Sequence, residues 1–144
     1  MGETMDAVEK AFAQKDAEML LKIYELLSSD KLFDAAMWYR NEFDVKSYEA
    51  FTRKYPVGSE GRRKFNRYGL FCEVLGVLAD NGLLNTDMYF DAFGGPMFDK
   101  AEPIVKGFKK ERGGASTLWE NWELLDRKSR EYWDKRKPKF PEEE

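Results

Sequence analysis

Residues 60–80 have the sequence EGRRKFNRYGLFCEVLGVLAD, and its apolar spacing decides the fold class. The apolar side chains recur every three or four residues, which is the period of an α-helix. One apolar face comprises Tyr68, Phe71, Cys72, Leu75, Leu78 and Ala79, and a second comprises Leu70, Val74 and Val77. A helix that is apolar on most of its sides is surrounded by other helices. The stretch therefore predicts a central, buried helix near 60–81.

Local signals mark both ends of this helix. Ser59 has a hydroxyl that can accept a hydrogen bond from a first-turn amide, as an N-cap residue does. Gly82 is suited to the left-handed position after the last turn, where Leu83 would pack back onto Leu78 in a Schellman motif. The helix is therefore expected to end just before Gly82.

The rest of the chain is also helical in its spacing, and no stretch alternates with the two-residue period of a strand. Helices are predicted over 6–27, from Asp30 to about Asn41, over 47–55, from Asn85 to Gly94, and within 96–112. The last helix is expected to open with a capping box, in which Glu120 reaches back to the amide of Thr117, and to stop before Pro138. We predict one all-α domain over 1–137, a bundle of about five to seven helices, followed by a flexible acidic tail at 138–144.

Composition excludes several classes of function. Histidine is absent, which removes the usual general base for a Ser or Cys nucleophile. Cys72 is the single cysteine, so neither an internal disulfide nor a cysteine-rich zinc site can form, and its apolar neighbours favour a core position. No apolar run reaches the roughly 18–20 residues that cross a bilayer, and no secretory signal is recognisable. We expect a cytoplasmic protein that is not an enzyme and binds no cofactor or metal.

Glu73 is the sharpest single feature, because it is a carboxylate among the apolar residues of the central helix. A buried carboxylate must be paired, hydrogen-bonded or protonated. Arg40 or Arg112 would supply a bidentate partner. The pair would either fix the register of the helices or form the base of a ligand pocket. The structural role is favoured, because no second carboxylate or base lies close to Glu73 in the sequence.

A basic segment precedes and opens the same helix. It carries six cationic residues against one acid, Glu60, with aromatic residues between them. These cationic residues are Arg53, Lys54, Arg62, Arg63, Lys64 and Arg67. Such a patch can bind phosphates of a nucleic-acid backbone. The net charge of −3 and the lack of an RNA-binding fingerprint favour a solvated face instead.

The stretch Phe71–Leu84, with its Phe-x-Glu-x-Leu-Gly pattern followed by Gly and two leucines, resembles a widespread family of uncharacterised prokaryotic all-helical domains. Ser29-Asp30, Trp38-Tyr39-Arg40 and Arg112 add to the likeness, which covers about residues 16–135. Members are often attached to one or two membrane helices. The resemblance implies the helical fold and carries no assigned activity.

Three functions remain after these exclusions. The first is a protein-interaction or regulatory module, with a protein partner or a two-fold homodimer. The second is a small-ligand-binding helical domain with Glu73 and Arg40 or Arg112 at the base of a pocket. The third is weak binding of a nucleic-acid backbone through Arg53 to Arg67, which the acidic overall charge disfavours.

Overall fold

Seven α-helices and one 3-10 turn make up the part of the chain that the structure describes. This structure is a computed structural model and describes residues 2–114 and 116–142, with side chains from residue 6 onward. The helices are α1 (Gly2–Leu27), α2 (Asp30–Asn41), α3 (Tyr48–Lys54), α4 (Glu60–Asp80), α5 (Thr86–Phe93), α6 (Glu102–Glu111) and α7 (Glu120–Lys135), and the 3-10 turn is Phe98–Lys100. The prediction of an all-α bundle is confirmed.

The predicted signals at the ends of α4 are confirmed. The Ser59 hydroxyl accepts a hydrogen bond from the amide of Arg62 at 3.2 Å. Gly82 has φ +71°, and the amide of Leu83 donates to the carbonyl of Leu78 at 2.8 Å. These interactions are local in sequence, so the residue types alone were enough to place both ends.

α4 is the central helix, and it packs most extensively on α7 and then on α2. Its inner face enters two hydrophobic clusters. The aromatic cluster contains Trp38, Tyr39, Phe43, Phe51, Phe65, Tyr68, Phe98 and Trp122. The second cluster contains Ile23, Leu75, Ala79, Leu84, Tyr89, Phe90 and Leu125. Phe71 packs against both clusters, so it lies at their junction.

The second apolar face of α4 is uncovered, which corrects the expectation that helices surround α4 on most sides. Leu70 is 58% exposed, Val74 50% and Val77 42%. The helices that pack on α4 reach its inner side, and the covered face alone provides the core. Apolar periodicity shows which residues share a face, and it does not show whether that face has a partner.

α4 and α7 approach closely because two glycines of α4 face α7. A Cβ added to Gly76 would collide with the backbone carbonyl of Asn121, and one added to Gly69 would lie 2.9 Å from the ring of Trp122. Only a residue without a Cβ fits against a neighbouring backbone in this way. Gly69 and Gly76 are two turns apart, so they open the same side of the helix to α7.

We therefore expect Gly76→Ala to destabilise the protein. Alanine favours a helix by about 1 kcal/mol over glycine, but overpacking against a backbone that cannot yield costs about 1–3 kcal/mol. Urea denaturation followed by circular dichroism measures the net change, and Leu70→Ala on the uncovered face is the control, expected to shift stability by about 0.5 kcal/mol or less. A Gly76→Ala protein more stable than the parent would contradict the close approach.

The end of the chain agrees with the predicted boundary of the last helix, since α7 stops at Lys135, before Pro138. Residues 138–142 form no helix, and Lys139 lies 3.4 Å from Asp91. Residues 143 and 144 of the predicted acidic tail lie outside the described residues.

Candidate functional site

Glu73 binds the first turn of α7. Its Oε1 accepts hydrogen bonds from the backbone amides of Asn121 at 3.0 Å and Trp122 at 2.9 Å. Its Oε2 accepts from the side-chain amide of Asn121 at 2.9 Å. The half-buried carboxylate is thereby satisfied by three N–H donors at the positive end of a helix dipole.

This contact replaces the capping box predicted at Thr117. The helix begins at Glu120, and its N-cap residue, Trp119, adopts a left-handed conformation with φ +58° and provides no side-chain cap. Glu120 is already in the helix and donates its amide to the carbonyl of Thr117 at 3.2 Å. The cap therefore comes from another helix, 47 or more residues earlier in the chain, which the local pattern could not indicate.

The prediction that Arg40 or Arg112 pairs with Glu73 is also wrong. Arg40 and Arg112 are both exposed, and neither is among the hydrogen-bond partners of Glu73 in the described part of the chain. Arg112 follows the last turn of α6, where its amide bonds the Phe108 and Lys109 carbonyls. The prediction assumed that a carboxylate on an apolar face needs an opposite charge, whereas amide donors at a helix start stabilise it equally well.

The basic segment does not form a surface with interleaved aromatic rings. Phe65 and Tyr68 are buried in the aromatic cluster, and Tyr55 packs against it, so these rings are not free to stack on bases. Arg62 lies 4.6 Å from the centre of the Phe51 ring and donates to the Tyr55 carbonyl at 2.8 Å. Arg53, Lys54, Arg63 and Arg67 are exposed, and Lys64 lies 3.5 Å from Glu60.

Cys72 is buried, in agreement with its predicted core position. Burial raises the pKa of its thiol, so the sulfur stays protonated and unreactive.

The structure does contain one cleft with the features of a binding site. It has a volume of about 380 Å³, within the usual range for small-molecule pockets. The end of α1, one face of α2, the middle of α4, α5 and the segment 94–97 enclose it. Residues of both hydrophobic clusters line it. Tyr68 belongs to the aromatic cluster, Tyr89 belongs to the second cluster, and Phe71 lies at their junction.

Tyr89 is the most informative residue of this cleft. It is 5% exposed, yet its hydroxyl has no hydrogen-bond partner among the described residues. By contrast, the hydroxyl of Tyr39 donates to the Met97 carbonyl at 2.5 Å and that of Tyr68 to the Pro96 carbonyl at 3.2 Å. No described side-chain polar atom is both fully enclosed and unpaired, so the Tyr89 hydroxyl must reach open space, and the cleft is the space that Tyr89 lines.

Burial also fixes the ionisation state of Tyr89. Desolvation raises the pKa of the phenol far above its ordinary value, so the hydroxyl is neutral at any physiological pH. A neutral phenol in a mostly apolar wall offers one donor and one acceptor to whatever occupies the cleft.

The segment 94–97 forms a rigid wall of the cleft. Met97 has a left-handed backbone with φ +50°, which a residue other than glycine adopts only when its surroundings hold it. The Pro96 carbonyl accepts from Tyr68 and from the indole of Trp122, and Asp126 accepts the amide of Phe98 at 3.2 Å. These bonds hold the segment against α4 and α7.

Arg40 is the charged residue among the described residues that line the cleft. It belongs to one stripe of α2 with Phe33, Ala36 and Met37, in which Arg40 and Phe33 at the two ends are exposed and Ala36 is buried. Of the residues predicted for a pocket, the structure thus places Arg40 at this cleft and Glu73 at the start of α7, while Arg112 lies at the end of α6. Tyr89 was missed, because an aromatic residue in a short helix gives no sequence signal that its hydroxyl lacks a partner.

The fold and the cleft define an all-helical domain with a mostly apolar cleft between its helices. The chain belongs to the family described as domain of unknown function DUF4760, whose model matches residues 3–129. Nothing among the curated proteins or the solved structures matches this chain. No helix in the described part of the chain has both the length and the apolar character needed to cross a membrane.

Because the Tyr89 hydroxyl has no protein partner and the Tyr39 hydroxyl has one, we expect the loss of each hydroxyl to change the free energy of unfolding differently. Tyr39→Phe removes a hydroxyl that binds the Met97 carbonyl and should lower the free energy of unfolding by about 1–2 kcal/mol. Tyr89→Phe removes a hydroxyl without a protein partner and should leave stability unchanged or slightly raised. Guanidinium denaturation of both variants measures the difference, and an equal loss in the two would show that Tyr89 is bonded within the protein.

Proposed function

We propose that this domain is a non-enzymatic binding module whose cleft takes a small, largely apolar molecule. The observation that carries the proposal is Tyr89, a buried residue of the cleft wall whose hydroxyl has no hydrogen-bond partner among the described residues. No described side-chain polar atom is both enclosed and unpaired, so this hydroxyl is accessible, with one donor and one acceptor to offer. A ligand in the cleft that carries a polar atom can bond it.

The shape and chemistry of the cleft support the same proposal. Ligand pockets are typically lined by apolar and aromatic side chains with a few placed polar groups. Here Phe33, Met37 and Phe71 provide the apolar surface, while Tyr89 and Arg40 provide the polar groups. The rigid segment at 94–97 means that binding would not have to order this wall of the site.

A role in binding rather than catalysis is supported by the groups that line the cleft. The guanidinium of Arg40 offers N–H donors and no acceptor. Burial raises the pKa of Tyr89, so this phenol does not exchange protons readily near neutral pH. Neither group is a good general base, and we propose that the bound molecule leaves unchanged.

A protein-interaction role is the second candidate, and the uncovered face of α4 favours it. Leu70, Val74 and Val77 present a continuous apolar stripe to the solvent. Contiguous exposed apolar surface often marks an interaction site. A protein partner or a second copy of the chain would bury this stripe without using the cleft.

A neutral, environment-sensitive dye such as Nile red tests the first proposal and separates it from the second. We expect the protein to bind the dye with enhanced emission, and Ala92→Trp, which fills the rim of the cleft, to weaken binding by about tenfold or more. Ala13→Trp is the matched control, because it makes the same change at an exposed position of α1 and should leave binding intact.

Leu70→Lys distinguishes the two surfaces in the same assay. If the dye binds in the cleft, this variant binds as well as the parent. Loss of binding in Leu70→Lys with full binding in Ala92→Trp would place the dye on α4 and contradict the cleft proposal, as would an absence of dye binding by the parent protein.

A further inference from the structure

The charge in the lining of the cleft is positive, and its sign indicates which class of ligand the cleft can bind. Among the described residues that line it, Arg40 carries a formal charge and the others are apolar or neutral. A cationic ligand would therefore find a like charge and no carboxylate, whereas an anionic one would find a guanidinium with five N–H donors. The lining favours an anion with an apolar body.

The guanidinium of Arg40 is available for such an anion. It forms no ion pair or hydrogen bond with another described residue. The backbone carbonyl of Arg40 is occupied instead, since the ammonium of Lys100 binds it at 3.0 Å and the Tyr39 carbonyl at 2.8 Å. Lys100 thus caps the C-terminal end of α2, where its charge compensates the partial negative charge of the helix terminus.

Acids also lie near this end of α2. Asp44 lies 2.8 Å from Lys46, and its pKa is lowered mainly by the hydrogen bond with Lys46, so its charge is compensated by that partner. Glu42, the C-cap residue of α2, and Asp99, next to Lys100 in the chain, are exposed. The preference for an anion therefore rests on the guanidinium of Arg40 in the lining of the cleft.

The α2 stripe sets the direction and the length of the ligand. Phe33 and Arg40 are seven residues apart on one face of the helix, which corresponds to about 10 Å along its axis. Ala36 and Met37 lie between them on the same wall. An extended molecule with its charged group at Arg40 would lay its apolar body along α2 towards Phe33 and Leu27.

The volume matches a single-chain ligand. At about 380 Å³ the cleft lies near the lower end of the range for ligand pockets. A free medium-chain or arylalkyl acid matches both the volume and the length of the α2 stripe.

We infer that the cleft binds a single-chain anionic amphiphile, with its carboxylate on Arg40 and its apolar body between α2, α4 and α5. This inference rests on the proposed function, since it names the ligand class of the same cleft. Arg40 contributes charge and bidentate hydrogen bonds at the rim, where a carboxylate keeps contact with water. Tyr89 would bond a further polar substituent along the body of the ligand.

Three probes with the same alkyl chain test the inference: decanoate, decanol and decyltrimethylammonium. Each is titrated, below its aggregation concentration, against the protein with Nile red in the cleft. We expect decanoate to displace the dye at a concentration about tenfold lower than decanol, because a charge-assisted bond to Arg40 adds to the same apolar contact, and decyltrimethylammonium to be the weakest.

Arg40→Gln and Arg53→Gln are the matched variants, since both remove one exposed guanidinium near a helix C-terminus. Arg40→Gln should abolish the preference for decanoate over decanol, with both affinities referred to the dye affinity measured for the variant itself, and Arg53→Gln should keep the preference. Because Arg40 is exposed and unpaired, the variant is not expected to impair folding.

The outcomes separate this inference from the proposed function. Suppose that the dye binds and that Ala92→Trp weakens its binding. If decanol then displaces the dye as well as decanoate does, or if decanoate does not displace it, the anionic ligand is overturned and the apolar cleft remains supported. A preference for decanoate that survives Arg40→Gln would overturn the role of Arg40. An absence of dye binding in the cleft would overturn both.

Discussion

The hydrogen bonds from the start of α7 to the Glu73 carboxylate are the constraint on which the rest of the structure depends. α7 begins after a left-handed residue that provides no side-chain cap, so the amides of Asn121 and Trp122 would lack partners without Glu73. Gly76, one turn further along α4, admits the backbone of Asn121 beside the carboxylate. The Glu-x-x-Gly spacing thus brings one helix start onto the side of another, and it fixes the α4–α7 interface around which both hydrophobic clusters form.

The cleft follows from the way those clusters are joined. α7 contributes Trp122 to the aromatic cluster and Leu125 to the second cluster, so each cluster is closed on the α7 side of α4. On the α2 side, Phe71 bridges the two, and the space between α2 and α5 remains open. Tyr39 and Tyr68 hold the segment 94–97 in place there, while Tyr89 is left without a partner.

Sequence reasoning succeeded where the determining contacts are local. The ends of α4 follow from Ser59 and Gly82, each of which acts within one turn, and the burial of Cys72 follows from its apolar neighbours on the same helix. It failed for Glu73, because carboxylates on apolar faces suggest ion pairs and the amides that satisfy it lie 48 and 49 residues away. The cleft was beyond prediction for a related reason, since a cavity is space that side chains from several helices leave unfilled.

Hydrogen exchange at the amides of Asn121 and Trp122 tests the central interaction most directly. First-turn amides of a helix ordinarily exchange readily, because they have no partner within the helix. If Glu73 binds them as described, both amides exchange as slowly as those in the middle of α4, through larger openings of the structure. Exchange as fast as that of Lys31 and Leu32, in the first turn of α2 where Ser29 provides no side-chain cap, would contradict the account.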